Sequence, residues 1–484
     1  MHRLGRVLMA TACWLALFDV IAAAEKAAAK PAPTWKAGAA CVTITPQKSL
    51  WMAGYASRTR PSEGVAQDLF AKALALEDDC GTRLVIVTMD LIGVQASMRA
   101  WLEGQLQAKH QLPPQSLLLN ASHTHCGPEL RPEKFVDSDL PADQAPAILE
   151  YNTVLQQNLL AVVSEALGKL QPARLDYLHA RCGFAINRRR PTVNVSQNQP
   201  NQVGRPSGTE TPTGSGAGPK TGYSNAPHID GPVDHDVPVL RVSDAGDKLV
   251  ALLFGYACHS TTMGDYQFRG DYGGYAQQYL QEAHPEAIAM FMAGCGGDQN
   301  PYPRRHVQYC LAHGRSLATA VEAALETVPK PLTGPLNAAL EKVVLDFAPP
   351  PSKAELERLA EEGKRPRDGH AKRLLKQLAE TGRIRSTYDY PVQVVRFGSD
   401  LTLVALAGEV VVDYSLRLKK ELAGPAVWVA GYSNDVFGYV PSVRVLKEGG
   451  YEAGDAMFWG SLPGPFTDTI EERIVGKARQ LAKE

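Results

Sequence analysis

Ser116-Leu117-Leu118-Leu119-Asn120-Ala121-Ser122-His123-Thr124-His125-Cys126-Gly127-Pro128 is the stretch from which the remainder of the chain is best read. Its apolar run, bounded upstream by Pro113 and Pro114, predicts a buried strand. The run ends in two histidines spaced i, i+2 and a Gly-Pro turn. On an extended backbone alternate side chains share a face, so His123 and His125 are expected to point the same way at the strand end. Two imidazoles converging there suit a metal and its reacting water. Two polar residues opening a loop would read the same, so the decision falls to the rest of the sequence.

The bulk numbers bound the answer. With 484 residues, 44% hydrophobic, the chain can bury a large core. A net charge of -1 gives no basis for a polyanionic partner and argues against nucleic acid. Arg3 and Arg6 precede an apolar stretch, residues 7–23, that ends in small residues. That pattern predicts a signal peptide over 1–24, cleaved near Ala24 and followed by a linker over 25–34. The stretch is short for a membrane span and Asp19 interrupts it. A secreted or periplasmic protein is expected, free or peripherally attached to a membrane surface. Beyond the leader stand Cys41, Cys80, Cys126, Cys182, Cys258, Cys295 and Cys310, an odd set that leaves at least one unpaired. Cys126 and Cys258 each adjoin a histidine and are expected to be buried near the site. The lack of any C-x-x-C spacing argues against thiolate ligation.

Strands at 71–77 and 83–89, a helix at 97–112 and then the His-x-His strand give a strand–helix–strand order. The expected fold class is therefore α/β, a mixed β-sheet core with flanking helices and a zinc site built at strand ends. A long amphipathic helix is predicted over 146–170. A strand at 173–184 leads to Arg188-Arg189-Arg190, where Arg189 and Arg190 read as a solvated basic loop. Residues 192–227, rich in Asn, Gln, Gly, Ser, Thr and Pro, read as a mobile surface loop. Strands at 236–242 and 249–255 follow, and the second runs into His259, repeating the arrangement at His123. The strand at 288–292 ends in a glycine-rich passage whose backbone could approach a ligand closely. The lysine of a Walker motif is missing there, which discounts a phosphate cradle. Residues 352–383 predict a charged helical excursion. A hairpin over 391–397 and 401–406 then delivers Glu409, an acid placed as the histidines are.

Two histidines, a carboxylate and an open position describe a catalytic zinc site, at which bound water has a pKa of about 7. A further histidine outside the coordination sphere can hand a proton to a leaving group, and an arginine can steady an oxyanion.

The sequence resembles the neutral/alkaline non-lysosomal ceramidase family over about residues 35–465. The segment Asn120 through Pro128 is similar to the family's HTHSGPGG. Further matches are Ile186-Asn187-Arg188, the strand ending in His259, Gly270-Asp271-Tyr272, Gly408-Glu409, and residues 433–439 followed by Tyr451-Glu452. The resemblance implies a catalytic domain over 35–484 and one Zn2+ per chain, held by His123, His259, Glu409 and Tyr439. It implies proton transfer by His125 and polarisation of an amide carbonyl by Arg188. Tyr432 lies near Tyr439, and Tyr439 is preferred because Tyr-Val-Pro-Ser is similar to the family's Tyr-Val/Ile-Thr-Thr. The implied activity is zinc-dependent hydrolysis of the N-acyl bond of ceramide or a similar lipid.

Three departures qualify the substrate. Cys126 stands where the family has Ser, and Glu129-Leu130 replaces Gly-Gly, predicting a narrower or more acidic entrance. The sequence also stops soon after the tyrosine motifs, before the family's C-terminal β-sandwich. The alternatives are a zinc hydrolase of an ester, a lactone or a non-lipid amide, and a non-catalytic module that binds lipid or glycan. A binding module would not need the whole donor set together, which argues against the last.

Overall fold

The computed structural model describes residues 34–135, 140–193, 221–364, 366–422 and 424–483. The expected signal peptide, the linker up to residue 33 and the middle of the 192–227 segment lie outside them. In chain order the first half contains β1 (Trp35–Thr43), β2 (Phe70–Asp78), β3 (Arg83–Met89), α1 (Ala96–His110), β4 (Leu117–Ala121), α2 (Gln144–Gly168) and β5 (Gln171–Arg181). It continues with β6 (Ala185–Val193), β7 (Thr221–His228), β8 (Asp236–Asp244), β9 (Leu249–Tyr256), α3 (Asp271–Ala283), β10 (Ile288–Ala293), β11 (Gln299–Pro301) and α4 (Val307–Leu325). The second half contains β12 (Leu336–Asp346), α5 (Lys353–Glu361), α6 (Arg367–Thr381), β13 (Thr387–Phe397), β14 (Leu401–Leu406) and β15 (Glu409–Val410). After these come α7 (Val412–Glu421), β16 (Val427–Ala430), β17 (Tyr439–Val440) and α8 (Ile470–Leu481).

The large sheet runs β10-β9-β8-β5-β1-β2-β3-β4, and a smaller one runs β12-β13-β14-β16. Parallel pairing is confined to β3/β4, β9/β10 and β14/β16 among these neighbours. Each such pair is joined through a helix (α1, α3 and α7), because parallel strands need a crossover connection. The mixed α/β core expected from the sequence is thus three helix-crossover units set among antiparallel strands.

Period-two alternation sorts the strand residues into layers. On one face of the large sheet Leu74, Leu76, Ile86, Leu118, Leu253 and Met290 meet Val395, Phe397, Leu403 and Trp428 of the small sheet. On its other face Val85, Val87, Leu117 and Leu119 pack against α1 and α2, while Leu252, Phe254 and Phe291 pack against α3 and α4. The outer face of the small sheet is covered by α7 and α8. The result is four layers: helices, sheet, sheet, helices. Burying side chains of this size contributes roughly 1.5–3 kcal/mol each. The charged excursion forms the pair α5 and α6 over a small core of Leu356, Ala371 and Leu374.

Two elements differ from expectation. Residues 191–193 and 221–228 form the antiparallel pair β6/β7, so the ends of the predicted surface loop are strand. β12 pairs with β13 along its whole length although its pattern is poorly alternating, because it is a half-exposed edge strand.

The strand ends are tied at one point by the side chain of Asn120. Its Nδ2 donates to Gly431 O at 2.8 Å and Ala293 O at 3.2 Å, and its Oδ1 accepts from Ala293 N at 2.8 Å. The ends of β4, β10 and β16 therefore share one buried carboxamide. Among the described residues no helix is long and apolar enough to cross a membrane.

Candidate metal centre and active site

β4 stops at Ala121, four residues short of a strand that carries both histidines. His123 has a φ of 56°, in the left-handed region that a histidine rarely adopts. The two rings still meet, with centroids 4.9 Å apart, but through this turn rather than through pleat alternation. His125 N donates to Ser260 O at 3.1 Å, stitching the turn to the loop that carries His259. Beneath His125 the chain has Gly54 at φ 95°, where a Cβ would come within 2.4 Å of the imidazole.

His123, His259 and Glu409 converge on one spot. His123 Nε2 and His259 Nε2 each lie 3.2 Å from Glu409 Oε2. At their far sides His123 Nδ1 donates to Ile92 O and His259 Nδ1 donates to Gly296 O, both at 2.6 Å. A carbonyl can only accept, so each Nδ1 carries a proton and each Nε2 is the nitrogen turned toward the centre. Burial above all, then Arg188, lowers the pKa of His259 to about 4, so the ring is neutral at pH 7. Burial works against the charge of Glu409, but His123 and His259 more than offset it and hold its carboxyl well below the usual range. Two imidazole nitrogens therefore converge on a carboxylate oxygen with positive charge required among them, supplied by a proton on a ring or by a metal ion. The donor set fits zinc.

His125 belongs to the same cluster but differs in kind. Its Nε2 lies 3.2 Å from His123 Nε2, and the three imidazoles are close enough to share an ion. Yet its Nδ1 is buried without a hydrogen-bond partner, so nothing orients it as the carbonyls orient the other two. Burial, then His123 and His259, push its pKa well below the ordinary histidine value. The ring of Tyr55 lies 4.7 Å from it.

The two tyrosines separate cleanly. Tyr439 OH is 3.2 Å from His259 Nε2, on the lone-pair side. Tyr432 OH is 3.4 Å from His259 Nδ1, on the far side, and its ring stacks on His123 at 4.4 Å. Arg188 Nη2 donates to Tyr439 OH at 2.8 Å, its Nε to Glu452 Oε1 at 2.8 Å and its Nη1 to Asn300 Oδ1 at 3.3 Å. Burial works against Arg188's charge, but Tyr439 and Glu452 more than offset it and keep the guanidinium protonated.

All six site residues read from the sequence thus come together: His123, His125, Arg188, His259, Glu409 and Tyr439. Two other expectations are corrected. Arg189 is not on a solvated loop; it is buried and donates to Glu452 Oε2 at 2.5 Å, with Glu448 also paired to it at 3.1 Å. Only Arg190 is exposed. Glu129 does not make the entrance acidic, because it is buried and paired with Arg131 at 2.7 Å and Lys134 at 2.6 Å. Glu452 and Asn300 were missed as site residues, although Glu452 sits in a quoted motif and Asn300 in the glycine-rich passage. All seven described cysteines are free, and burial, then Asp271, pushes the Cys126 thiol up to about 12.

Residues 35–188 match the sequence model of the neutral/alkaline non-lysosomal ceramidase family, N-terminal part. About a third of the chain is thus similar to that family. The matched stretch contains His123, His125 and Arg188, whereas His259, Glu409 and Tyr439 come to the site from beyond it. A solved structure of neutral ceramidase from Pseudomonas aeruginosa is 19% identical, with a TM-score of 0.68, over 94% of this chain and 75% of that one. A second, titled as ceramidase complexed with C2, is 18% identical, with a TM-score of 0.66, over 93% and 75%. These likenesses show a common fold. No curated protein matches the sequence.

Proposed function

We propose that this chain is an exported zinc-dependent amidohydrolase that cleaves the N-acyl bond of ceramide or a ceramide-like lipid, working at a membrane surface that it does not span. The observation that carries this reading is the meeting of His123 Nε2, His259 Nε2 and Glu409 Oε2 with both Nδ1 atoms committed to carbonyls. His123, His259, Glu409 and Tyr439 would hold one Zn2+. When bound, zinc supplies Lewis acidity, bringing the pKa of water to about 7 and polarising an acyl carbonyl.

The remaining roles follow from the protein's own groups. His125 is neutral and turns its Nε2 toward the centre, so it can accept the proton of the attacking water there. It then returns that proton to the amide nitrogen as the C–N bond breaks, and the amine leaves uncharged at that moment. Arg188 stays charged beside Tyr439 and can donate toward the oxyanion that forms at the carbonyl. Glu452 holds Arg188 in place for that task.

The test is metal analysis of the purified protein combined with turnover of a fluorescent N-acyl sphingosine, a simple N-acyl amine and a matched ester. About one zinc per chain with release of sphingosine supports the reading. A protein without zinc and without amidase activity overturns it, and preferential cleavage of the ester moves the activity to another acyl bond.

A further inference from the structure

The rim beside His125 is basic, and its charge has no part in the chemistry above. β11 leaves the site at Pro301 and continues through Tyr302 to Arg304 and Arg305. Among the described residues neither guanidinium is ion-paired. Arg304 lies over the ring of Tyr302 at 5.3 Å, and Arg305 lies over Tyr55 at 4.8 Å. Tyr55 is the ring packed on His125. At the other end, Asn300, two residues before Tyr302, accepts from Arg188. The segment therefore runs from a neighbour of Arg188 to a neighbour of His125.

These side chains are held rather than free. Arg305 N donates to Thr262 O at 2.7 Å, with φ at 77°. Gly264 lies so close that a Cβ there would stand 2.4 Å from Arg305 Nη1. Neighbouring charges are already engaged: Arg58 donates to Ala53 O, His125 O and Asp265 O, and Asp265 pairs with Arg269 at 2.7 Å. A guanidinium stacked on an aromatic ring keeps its N–H fork at the edge, where it matches the oxygens of a carboxylate, sulfonate or phosphate.

We infer that Arg304 and Arg305 form a subsite for an anionic group on the amine half of the substrate, so that N-acyl amines bearing a carboxylate, sulfonate or phosphate near the scissile nitrogen are preferred. The inference rests on the proposed role of His125, because the group that protonates the leaving nitrogen must lie beside the amine half, and the Tyr55–Arg305 stack packs against that histidine. Two guanidinium contacts, one half-buried and one exposed, are together worth about a fivefold to tenfold preference.

The probes are N-dodecanoyl glycine, N-dodecanoyl taurine and the uncharged N-dodecanoyl ethanolamine, measured with the zinc-loaded full chain for calorimetric Kd and for turnover. The two anionic amides should bind and turn over about fivefold to tenfold better than the neutral one. Arg304→Ala/Arg305→Ala should level the three, added NaCl should do the same, and Arg305→Glu should favour the neutral amide. Equal affinity for all three in the unaltered protein, or a preference that survives the double substitution, overturns the inference. If the anionic amides bind more tightly through these arginines but no amide is cleaved, the subsite stands and the amidohydrolase reading falls. If amides are cleaved without regard to charge, the amidohydrolase reading stands and the subsite falls.

Discussion

His123 and His125 bring their Nε2 atoms to 3.2 Å from each other, yet only His123 is anchored at its far nitrogen, by the carbonyl of Ile92. An imidazole whose Nδ1–H is fixed by a carbonyl has its lone pair aimed and its tautomer set, as metal ligands require. His125 has neither constraint and is free to take up and release a proton.

That difference predicts opposite behaviour in two variants. His123→Ala should lose both zinc and turnover. His125→Ala should keep about one zinc per chain while its kcat falls by roughly 10²–10⁴. Metal content and initial rates on the same preparation decide it, and a His125 variant without zinc would make that residue a ligand.

The tyrosines can be told apart in the same way. Tyr439→Phe removes the hydroxyl on the lone-pair side of His259 and should lower both zinc affinity and kcat, each by roughly tenfold or more, an effect of the size found for partners of metal ligands. Tyr432→Phe alters only the far side of that ring and should leave zinc affinity within about twofold. Titration with a competing chelator measures both.

Glu452 compensates two buried cations at once, with Arg188 and Arg189 both within ion-pair distance. Glu452→Gln leaves those guanidinium groups without their common anion, which should cost roughly 3–5 kcal/mol of stability. It should also lower kcat, because Arg188 loses the contact that orients it. Denaturant unfolding and steady-state kinetics read the two effects separately.

Glu129 gives a pH signature. Burial alone would raise its pKa, but Arg131 and Lys134 more than offset this and hold it well below the usual carboxylate range. A carboxyl depressed in the folded state stabilises the fold above its unfolded pKa, near 4.5, and loses that contribution as pH falls toward the folded value. Glu129→Gln should therefore unfold at a lower temperature than the parent at pH 7, and the gap should narrow below about pH 4.5. Melting curves at pH 7 and pH 3 test this; a gap that widens in acid would refute it.

The sequence was most legible where one physical signal dominated. Strands β3, β4, β9, β10 and β14 are buried apolar runs, and the polar residue that follows such a run stands out, as His123, His259 and Glu409 do after β4, β9 and β14. β12 was missed because an edge strand half open to solvent has no clean alternation to read. Arg189 was misread for a different reason. Its local context, three arginines and a proline, shows only charge, while the carboxylates that bury it lie 263 and 259 residues further on. Glu129 needed no long-range knowledge, since Arg131 and Lys134 stand two and five positions away, a local neutralisation that the reading of an acidic rim overlooked. The left-handed turn at His123 could not be seen, because no residue type announces a positive φ there.

The carboxamide of Asn120 has a consequence for how such a protein could change its diet. Three strand termini are pinned to one another beneath the histidines by a single side chain, whereas Tyr55, Arg304 and Arg305 sit on loops outside that clasp. Those loops can be lengthened, shortened or recharged while the floor stays where it is. Chemistry and appetite are thus separable, and new leaving groups can be courted by grafting mouths onto an unaltered throat.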